Sequence, residues 1–188
     1  MLFTPEKCRA ARCFPAEKES IHQAVLAAAD LPGPVYLRLG RYPTPVLFGD
    51  DYHFQIGAMP QLRAGTDLLL LGTGMMTALA LDVAEILAGE GLQAAVHNVP
   101  TLKPFNRSDL LSAVAGKRLV VTLEEHSIIG GLGSAVAEIM AEESDSPPLL
   151  RIGVEDTFGQ SATADELLAH YGLTPPQMAA RILDRLSH

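Results

Sequence analysis

Tryptophan is absent from this chain of 188 residues, cysteine occurs only twice, and long apolar runs are missing. Two cysteines, Cys8 and Cys13, cannot build the disulfide framework of a small secreted protein, and no neighbouring histidine or acid marks either thiol as a nucleophile. No apolar run approaches the roughly 20 residues that span a bilayer. Charges precede the first apolar run, which is unlike a signal peptide. We therefore expect a cytoplasmic protein without a membrane segment.

Positive charge is also scarce. The chain has 14 lysines and arginines against 22 aspartates and glutamates, which gives a net charge of −8. Proteins that bind nucleic acid carry basic surfaces that neutralise phosphates, so we expect no nucleic-acid partner. The hydrophobic content of 48% and the charged content of 19% are typical of a folded globular domain.

The familiar catalytic motifs are missing as well. The sequence has no G-x-S-x-G, H-E-x-x-H or C-x-x-C pattern. The Gly72-Thr73-Gly74 turn lies between a predicted strand and a predicted helix, where a helix N-terminus can hold a phosphate. It lacks the third glycine of a dinucleotide site and the Gly-Lys-Ser/Thr of a P-loop, so tight-turn chemistry is the favoured interpretation. The residues alone predict a scaffold with polar corners and no complete active site.

The most informative stretch that is present covers residues 117–140. Residues 118–123 are leucine, valine and threonine after one arginine, which predicts a strand buried on both faces. Glu124, Glu125 and His126 follow as a polar corner, and Gly130-Gly131-x-Gly133 then leads into an alanine-rich helix. This order predicts one half of a βαβ unit, with polar groups at the carboxyl end of a parallel strand, where α/β sheets place ligands or partners.

Strand and helix patterns alternate along the whole chain, which predicts a three-layer α/β/α fold with a mostly parallel sheet. Proline-bearing residues 42–48 separate this unit from an N-terminal helix and strand, which alone cannot form a core. The predicted strands cover residues 35–39, 53–56 (an edge strand), 67–71, 92–97, 118–123 and 149–154, with a turn at 62–66. The predicted helices cover residues 17–29, 75–88, 108–115 (capped by Ser108), 134–142, 163–170 and 175–186.

Two groups of polar residues are candidates for function. Glu124, Glu125 and His126, joined by His97 if neighbouring strands end side by side, have the side chains of an acid/base group or a metal site. Three adjacent residues of an extended chain cannot all face one point, so a contact with another domain or subunit is favoured, and no metal is assigned. Arg38 and Arg41 flank Gly40 after a strand. The forked donors of a guanidinium suit a phosphate or a carboxylate, and two solvated surface arginines are an equally good interpretation.

Taken together, several stretches resemble the C-terminal part of the transketolase family of thiamine-diphosphate enzymes, and the two-piece transketolases in particular. They keep the family's order and spacing from about Phe14 to the end of the chain. They are Phe-Pro-Ala at 14–16, Gly-Pro-Val-Tyr-Leu-Arg-Leu-Gly-Arg at 33–41, Leu-Lys-Pro-Phe at 102–105, Val-Thr-Leu-Glu-Glu-His at 121–126, Gly-Gly-Leu-Gly-Ser-Ala-Val-Ala-Glu at 130–138, Arg-Ile-Gly-Val at 151–154 and Phe-Gly-Gln-Ser at 158–161.

The resemblance implies a division of the chain. Residues 1–48 would be the end of a pyrimidine-binding domain with its linker, and residues 49–188 the transketolase C-terminal domain. In the complete enzyme, thiamine diphosphate and Mg²⁺ sit between the diphosphate-binding and pyrimidine-binding domains, across a dimer interface. The activating glutamate of the family has no match here. The resemblance therefore implies that this chain alone binds no cofactor, carries no catalytic residue and needs the N-terminal thiamine-diphosphate-binding half.

The resemblance also implies roles for the candidate residues. Arg41 would bind the phosphate of a sugar-phosphate substrate, with Arg38 a second choice, and Glu124, Glu125 and His126 would lie at a contact of the C-terminal domain. Three positions depart from the family pattern, since Glu17 and Asn106 replace aspartates and Ala162 replaces a glycine.

The complete enzyme would move a two-carbon ketol unit between sugar phosphates. Two alternatives remain open. The same module occurs in deoxyxylulose-phosphate synthase and in the β subunits of 2-oxo-acid dehydrogenases. The second alternative is a regulatory module without catalysis, which would bind a small anion at Glu124–His126 or at the Gly72–Gly74 turn.

Overall fold

The computed structural model describes residues 11–40, 42–49 and 51–188. The described residues form eight strands and six helices that alternate along most of the chain. The strands are β1 (Ala11–Cys13), β2 (Val35–Leu37), β3 (Gln61–Arg63), β4 (Leu68–Gly72), β5 (Ala94–Asn98), β6 (Thr101–Lys103), β7 (Leu119–Ser127) and β8 (Leu149–Val154). The helices are α1 (Lys18–Ala29), α2 (Met76–Gly89), α3 (Arg107–Val114), α4 (Leu132–Ala141), α5 (Ala164–His170) and α6 (Pro175–Ser187).

Five strands form the main sheet in the order β3-β5-β4-β7-β8. The pairs β4–β5, β4–β7 and β7–β8 are parallel, and only the edge strand β3 runs antiparallel to its neighbour. The central strand β4 is buried over its whole length, as a strand covered on both faces must be. The predicted α/β fold with a mostly parallel sheet is confirmed.

The two faces of the main sheet carry separate hydrophobic clusters, because successive side chains of a strand point to opposite faces. Leu68 and Leu70 of β4 pack with helices α2 and α6, in a cluster that we call the larger core. Leu69 and Leu71 pack with helices α3 and α4, in a cluster that we call the smaller core. The helices therefore cover both faces, which gives the three layers that the sequence predicts.

A second, three-stranded sheet has the order β2-β1-β6. Strands β1 and β2 are parallel and joined by α1, whereas β6 comes from the C-terminal part of the chain and pairs antiparallel with β1. The only cluster of buried apolar residues described beneath this sheet consists of Cys13, Ala24 and Phe54. The N-terminal helix and strand therefore dock on the rest of the chain through β6.

The prediction of an edge strand at residues 53–56 is wrong. The edge strand beside β5 is instead β3, at residues 61–63, which overlaps the turn predicted at 62–66. Phe54 is buried without being in a strand, and its backbone N–H donates to Gln23 Oε1 of α1 at 2.6 Å. Tertiary packing against α1 thus accounts for its apolar character. Strands β1 and β6 were not predicted, because three residues are too few to show a period.

Helix boundaries differ from prediction at two caps. Asn106, not Ser108, caps α3, because its Oδ1 accepts from the Asp109 N–H at 3.1 Å. Glu17 caps α1 and accepts from the Ser20 N–H at 2.8 Å. Two of the three departures from the family pattern, Glu17 and Asn106, are therefore residues that can still cap a helix.

Across the described ranges, none of the helices combines the length and the apolar character that a bilayer span requires.

Candidate functional site

Glu124, Glu125 and His126 lie inside strand β7, not in a corner after it. Leu123 pairs with Ile152 of β8, and the next pair is Ser127 with Val154, so four steps along β7 match two along β8. This irregularity is a β-bulge, a feature that often re-aims side chains near functional sites. Glu124 and Glu125 point to opposite faces of the sheet, which prevents the three residues from converging on one ligand.

Glu124 caps helix α4 from a neighbouring strand. Its side chain is 1% exposed, Oε2 accepts from the Leu132 N–H at 2.8 Å, and Oε1 accepts from the Gly133 N–H at 2.9 Å. The helix has no side-chain cap at its own N-cap residue, Gly131. Burial raises the pKa of Glu124 above its ordinary value, while the two backbone N–H donors oppose this shift. Glu124 thus joins strand β7 to helix α4 within the C-terminal part of the chain.

The glycines around Glu124 make room for this contact. A Cβ on Gly131 would overlap Glu124 Oε2, and a Cβ on Gly133 would lie 2.9 Å from Thr122 Oγ1. On strand β8, a Cβ on Gly153 would lie 2.8 Å from the carbonyl oxygen of His126, on the bulge. Gly131 and Gly133 therefore serve the close approach of helix and strand, whereas Gly130 adopts a positive φ of 74° in open space.

Glu125 points to the opposite face of the sheet and contacts the N-terminal part of the chain. Its Oε1 lies 3.3 Å from Arg38 Nη2, which also donates to the Glu125 carbonyl oxygen at 3.4 Å. The Arg38 guanidinium lies 5.9 Å from the centre of the Phe14 ring. Burial raises the pKa of Glu125, and the charge of Arg38 opposes this shift. Glu125 thus links the two parts of the chain.

The two histidines of the candidate group do not meet. His126 is exposed, and its Nδ1 lies 2.9 Å from the carbonyl oxygen of Ser127. His97 lies on β5, which β4 separates from β7, and its Nδ1 lies 3.2 Å from the carbonyl oxygen of Met59. Burial lowers the pKa of His97. Within the described ranges, no three histidine, cysteine or acidic side chains cluster in a way that would hold a metal ion.

Arg41 lies outside the described residues, but the chain around it is described. A Cβ on Gly40 would lie 3.7 Å from Glu125 Oε1. The Tyr42 ring packs against the larger core, and its hydroxyl donates to Asp165 Oδ1 of α5 at 2.8 Å. This hydrogen bond keeps the pKa of Tyr42 raised. Arg38 and Tyr42 therefore both make side-chain contacts at the carboxyl edge of the main sheet.

Two cavities adjoin this segment at the carboxyl edge. The more polar one is lined by Arg38, Gly40 and Thr73 among others. The second has a volume of about 290 Å³ and is mainly apolar. Glu125 and Tyr42 line both cavities, so this edge has room for a ligand or for a segment of another chain.

The Gly72–Gly74 turn is a tight turn that leads directly into α2. The N–H groups of Met76 and Thr77, at the start of α2, donate to the carbonyl oxygens of Thr73 and Gly74, both at 3.2 Å. Gly74 has a φ of 57°, which glycine adopts readily. Because these two N–H groups are occupied, the geometry favours a tight turn and disfavours a phosphate-binding site.

Sequence reasoning missed Tyr42 and Asp165. Their positions differ by 123 in the sequence, and neither belongs to a recognisable motif. The only signal was the neighbourhood of Tyr42, which directly follows Arg41.

The family model of the transketolase C-terminal domain matches residues 57–178 of this chain. A protein of Methanocaldococcus jannaschii named putative transketolase C-terminal section is 38% identical over 174 residues, which cover 92% of this chain and 54% of that protein. A 1-deoxy-D-xylulose-5-phosphate synthase of Thermosynechococcus vestitus is 41% identical over 156 residues, which cover 81% of this chain and 24% of the synthase.

A solved structure described as a split gene transketolase, inactive beta4 tetramer, is similar to this chain with a TM-score of 0.89 and 41% identity. The similarity covers 95% of this chain and 58% of that chain. The chain thus spans about half the length of relatives such as the M. jannaschii protein.

Proposed function

The chain belongs to the transketolase family and carries its C-terminal domain, and on this premise we propose that it is the C-terminal part of an enzyme that transfers a two-carbon ketol unit between sugar phosphates. The observation that carries the proposal is the 38% identity to a transketolase C-terminal section across 92% of this chain. The enzyme would act in the cytoplasm as a homodimer of complete units.

The proposal includes a division of the chain. Residues 1–48 would be the end of a pyrimidine-binding domain and its linker, and residues 49–188 the C-terminal domain. The small cluster of Cys13, Ala24 and Phe54 supports residues 1–48 being the end of a larger domain, because only two of its three buried residues come from that segment. In the complete enzyme, Glu125 and His126 would lie where this domain meets the rest of the molecule, and Glu124 would hold α4 beneath them.

Thiamine diphosphate and Mg²⁺ would belong to the N-terminal partner half. The described residues do not fit the metal, because they contain no cluster of three potential ligands. We therefore assign no step on the cofactor to this chain and expect it to be inactive without its partner.

The contribution of this chain to the substrate site would be Arg41, with Arg38 beside it. A guanidinium suits a phosphate because its N–H donors form a planar fork that binds two oxygens at once. Arg38 is already engaged by Glu125, which favours Arg41 as the principal phosphate ligand.

The test combines this chain with its N-terminal half and measures transfer from xylulose 5-phosphate to ribose 5-phosphate. We expect Arg41→Ala to raise the KM for ribose 5-phosphate about 10- to 100-fold, because a charged hydrogen-bonded contact is lost. Glycolaldehyde, an acceptor without phosphate, should keep its KM. Arg118→Ala is the matched control, since Arg118 is exposed just before β7, at the opposite edge of the sheet. An unchanged KM in Arg41→Ala would remove this residue from the site.

The 41% identity to a 1-deoxy-D-xylulose-5-phosphate synthase favours a second candidate reaction. That enzyme type condenses pyruvate with glyceraldehyde 3-phosphate and releases CO₂, whereas ketol transfer releases none. Pyruvate-dependent CO₂ release by the reconstituted enzyme, without transfer from xylulose 5-phosphate, would replace our assignment with this one. A small anion at the Gly72–Gly74 turn is less favoured, because the Met76 and Thr77 N–H groups at the start of α2 are occupied.

A further inference from the structure

We propose that the cavity between the three-stranded sheet and the carboxyl end of β7 binds a small aromatic acid, whose carboxylate is held by Arg12 and Thr73. The cavity has a volume of about 410 Å³. Sites for small organic molecules usually measure roughly 300–1,000 Å³, so the cavity is large enough for such a ligand. This proposal does not depend on the proposed transferase activity.

One face of the three-stranded sheet forms the first wall of the cavity. Successive side chains of a strand point to opposite faces. Cys13 and Leu37 lie on the face that α1 covers, in the cluster with Ala24. Arg12 and Tyr36, which are partners across β1 and β2, lie on the other face and line the cavity. This wall therefore presents a guanidinium next to an aromatic ring.

The aromatic side chains of this wall are the reason to expect a ring in the ligand. Phe14 and Tyr36 form an edge-to-face pair with ring centres 6.3 Å apart. Tyr36 is 57% exposed, so much of its ring is available to a third ring. Leu102 adds an aliphatic contact, and the lining of the cavity is mainly apolar. The body of the ligand should accordingly be apolar and flat.

Arg12 supplies the positive charge. It is exposed, and it takes part in none of the ion pairs among the residues that the structure describes. Arg38 also lines the cavity, but its guanidinium is already paired with Glu125. A guanidinium can bind both oxygens of a carboxylate through two parallel N–H donors. Arg12 is therefore the described cation best placed to bind an anionic ligand here.

The acidic side chain in the lining, Glu124, leaves Arg12 available to the ligand. Both of its oxygens accept from N–H groups at the start of α4, at 2.8 and 2.9 Å. Burial also raises the pKa of Glu124, which reduces its repulsion of an anion. His126 lines the cavity too, and its Nδ1 lies 2.9 Å from the Ser127 carbonyl oxygen, so only Nε2 remains for a ligand.

Thr73, which follows β4, is an independent sign of a missing ligand. It lines the cavity and is only 5% exposed, yet its Oγ1 has no hydrogen-bond partner among the described residues. Buried hydroxyl groups are nearly always hydrogen-bonded, because an unpaired one is costly. A ligand carboxylate would supply the acceptor that Thr73 lacks. This contact uses the side chain of Thr73 and not the N–H groups at the start of α2.

The test measures the binding of 2-naphthoate to the full chain by isothermal titration calorimetry. We expect a dissociation constant of about 0.1–1 mM, which is typical of a ligand with so few atoms. The uncharged 2-naphthamide should bind at least about tenfold more weakly, because it cannot pair with a guanidinium. Decahydro-2-naphthoate, which keeps the charge and the size but not the flat rings, should bind about 2- to 10-fold more weakly.

Two variants locate the site. Arg12→Ala should weaken the binding of 2-naphthoate about 10- to 100-fold, whereas Arg118→Ala, at the opposite edge of the main sheet, should leave it unchanged. Thr73→Val keeps the shape of the side chain and removes its hydroxyl. It should weaken binding about 3- to 10-fold without lowering the free energy of unfolding, because the hydroxyl has no partner in the free chain. This split separates a ligand contact from a structural role.

Several results would overturn the proposal. Equal affinity of the wild type and Arg12→Ala would exclude the guanidinium contact, and equal affinity for 2-naphthoate and 2-naphthamide would exclude recognition of a carboxylate. Absence of saturable binding up to about 10 mM would exclude the site itself. Loss of binding when the N-terminal half is added would instead assign the cavity to the interface with that half.

Discussion

The C-terminal and N-terminal parts of this protein differ in how they are held together. The main sheet lies between two clusters of 18 and 11 buried residues, which is enough for an independent core. The described N-terminal part has two strands of three residues and one helix, and in its small cluster Cys13 and Ala24 pack against Phe54 of the C-terminal part. The order of the N-terminal part therefore depends on its contacts with the C-terminal part, chiefly β1 with β6 and Arg38 with Glu125.

This difference teaches that contacts across the two parts order the N-terminal one. Arg41 belongs to the N-terminal part by sequence, yet the described contacts around it reach the C-terminal domain. Arg38 and Tyr42 are thus both held by residues of the C-terminal part.

The sharpest test of the comparison removes one large side chain from the larger core and one, Phe54, from the cluster that packs against the N-terminal part. Leu70 is fully buried in the larger core, and Leu70→Ala should lower the free energy of unfolding by about 2–5 kcal/mol. Phe54→Ala should instead open the N-terminal part locally, with faster hydrogen exchange of residues 11–37 and little change in the urea midpoint. Phe158→Ala is the control, since this ring is 96% exposed. If Phe54→Ala shifted the urea midpoint as far as Leu70→Ala, the two parts would unfold as one unit.

A smaller effect is expected from a single added methyl group beside Glu124. Gly131→Ala would place a Cβ on the carboxylate that caps α4, and we expect a loss of about 1–3 kcal/mol in the free energy of unfolding. Gly159→Ala is the matched control, because no heavy atom lies within 4 Å of its added Cβ and its φ is not positive. Equal stability of the two variants would mean that Glu124 does not constrain α4.

The smallest effect concerns the charge that links the two parts. The folded-state pKa of Glu125 is raised, so its contribution to stability is complete below the unfolded pKa of about 4.3 and is lost as pH rises through the folded pKa. The Glu125→Gln variant cannot ionise. In urea unfolding from pH 4 upward, the free energy of unfolding of Glu125→Gln should therefore rise relative to that of wild type as the pH increases.

Glu166 provides a comparison of opposite sign, because hydrogen bonds from Thr163 lower its pKa. The contribution of Glu166 to stability is present above its unfolded pKa and is lost as pH falls through its folded pKa. Glu166→Gln should accordingly lose stability relative to wild type as pH rises through that range. The same trend in both variants would mean that the ion pair with Arg38, and not burial, dominates the pKa of Glu125.

Most of the C-terminal fold was predictable from the sequence. Strands β4, β7 and β8 and helices α2 and α6 have apolar patterns long enough to show a period, and their predicted positions agree with the structure to within a few residues at most. The missed strands β1, β3 and β6 have three residues each, and their strand character comes only from pairing with distant partners.

The candidate site was predictable only in part. Glu124 and Glu125 stood out because a polar pair after an apolar strand is unusual, but their different roles depend on the faces to which they point. Arg41 stood out through the family resemblance and lies outside the described residues. The bond between Tyr42 and Asp165 left no trace in the sequence, since nothing local to either residue specifies the other.

The sequence by itself determined the alternation of strands and helices, the burial of β4 and β7 and the family of the chain, because these depend on apolar periodicity and on local motifs. Only the tertiary structure decided which strands became edges, that Glu124 caps a helix while Glu125 binds Arg38, and that α5 holds Tyr42. The physical reason is that these outcomes depend on hydrogen bonds and ion pairs between residues far apart in the chain, whose partners exist only once the sheet has formed.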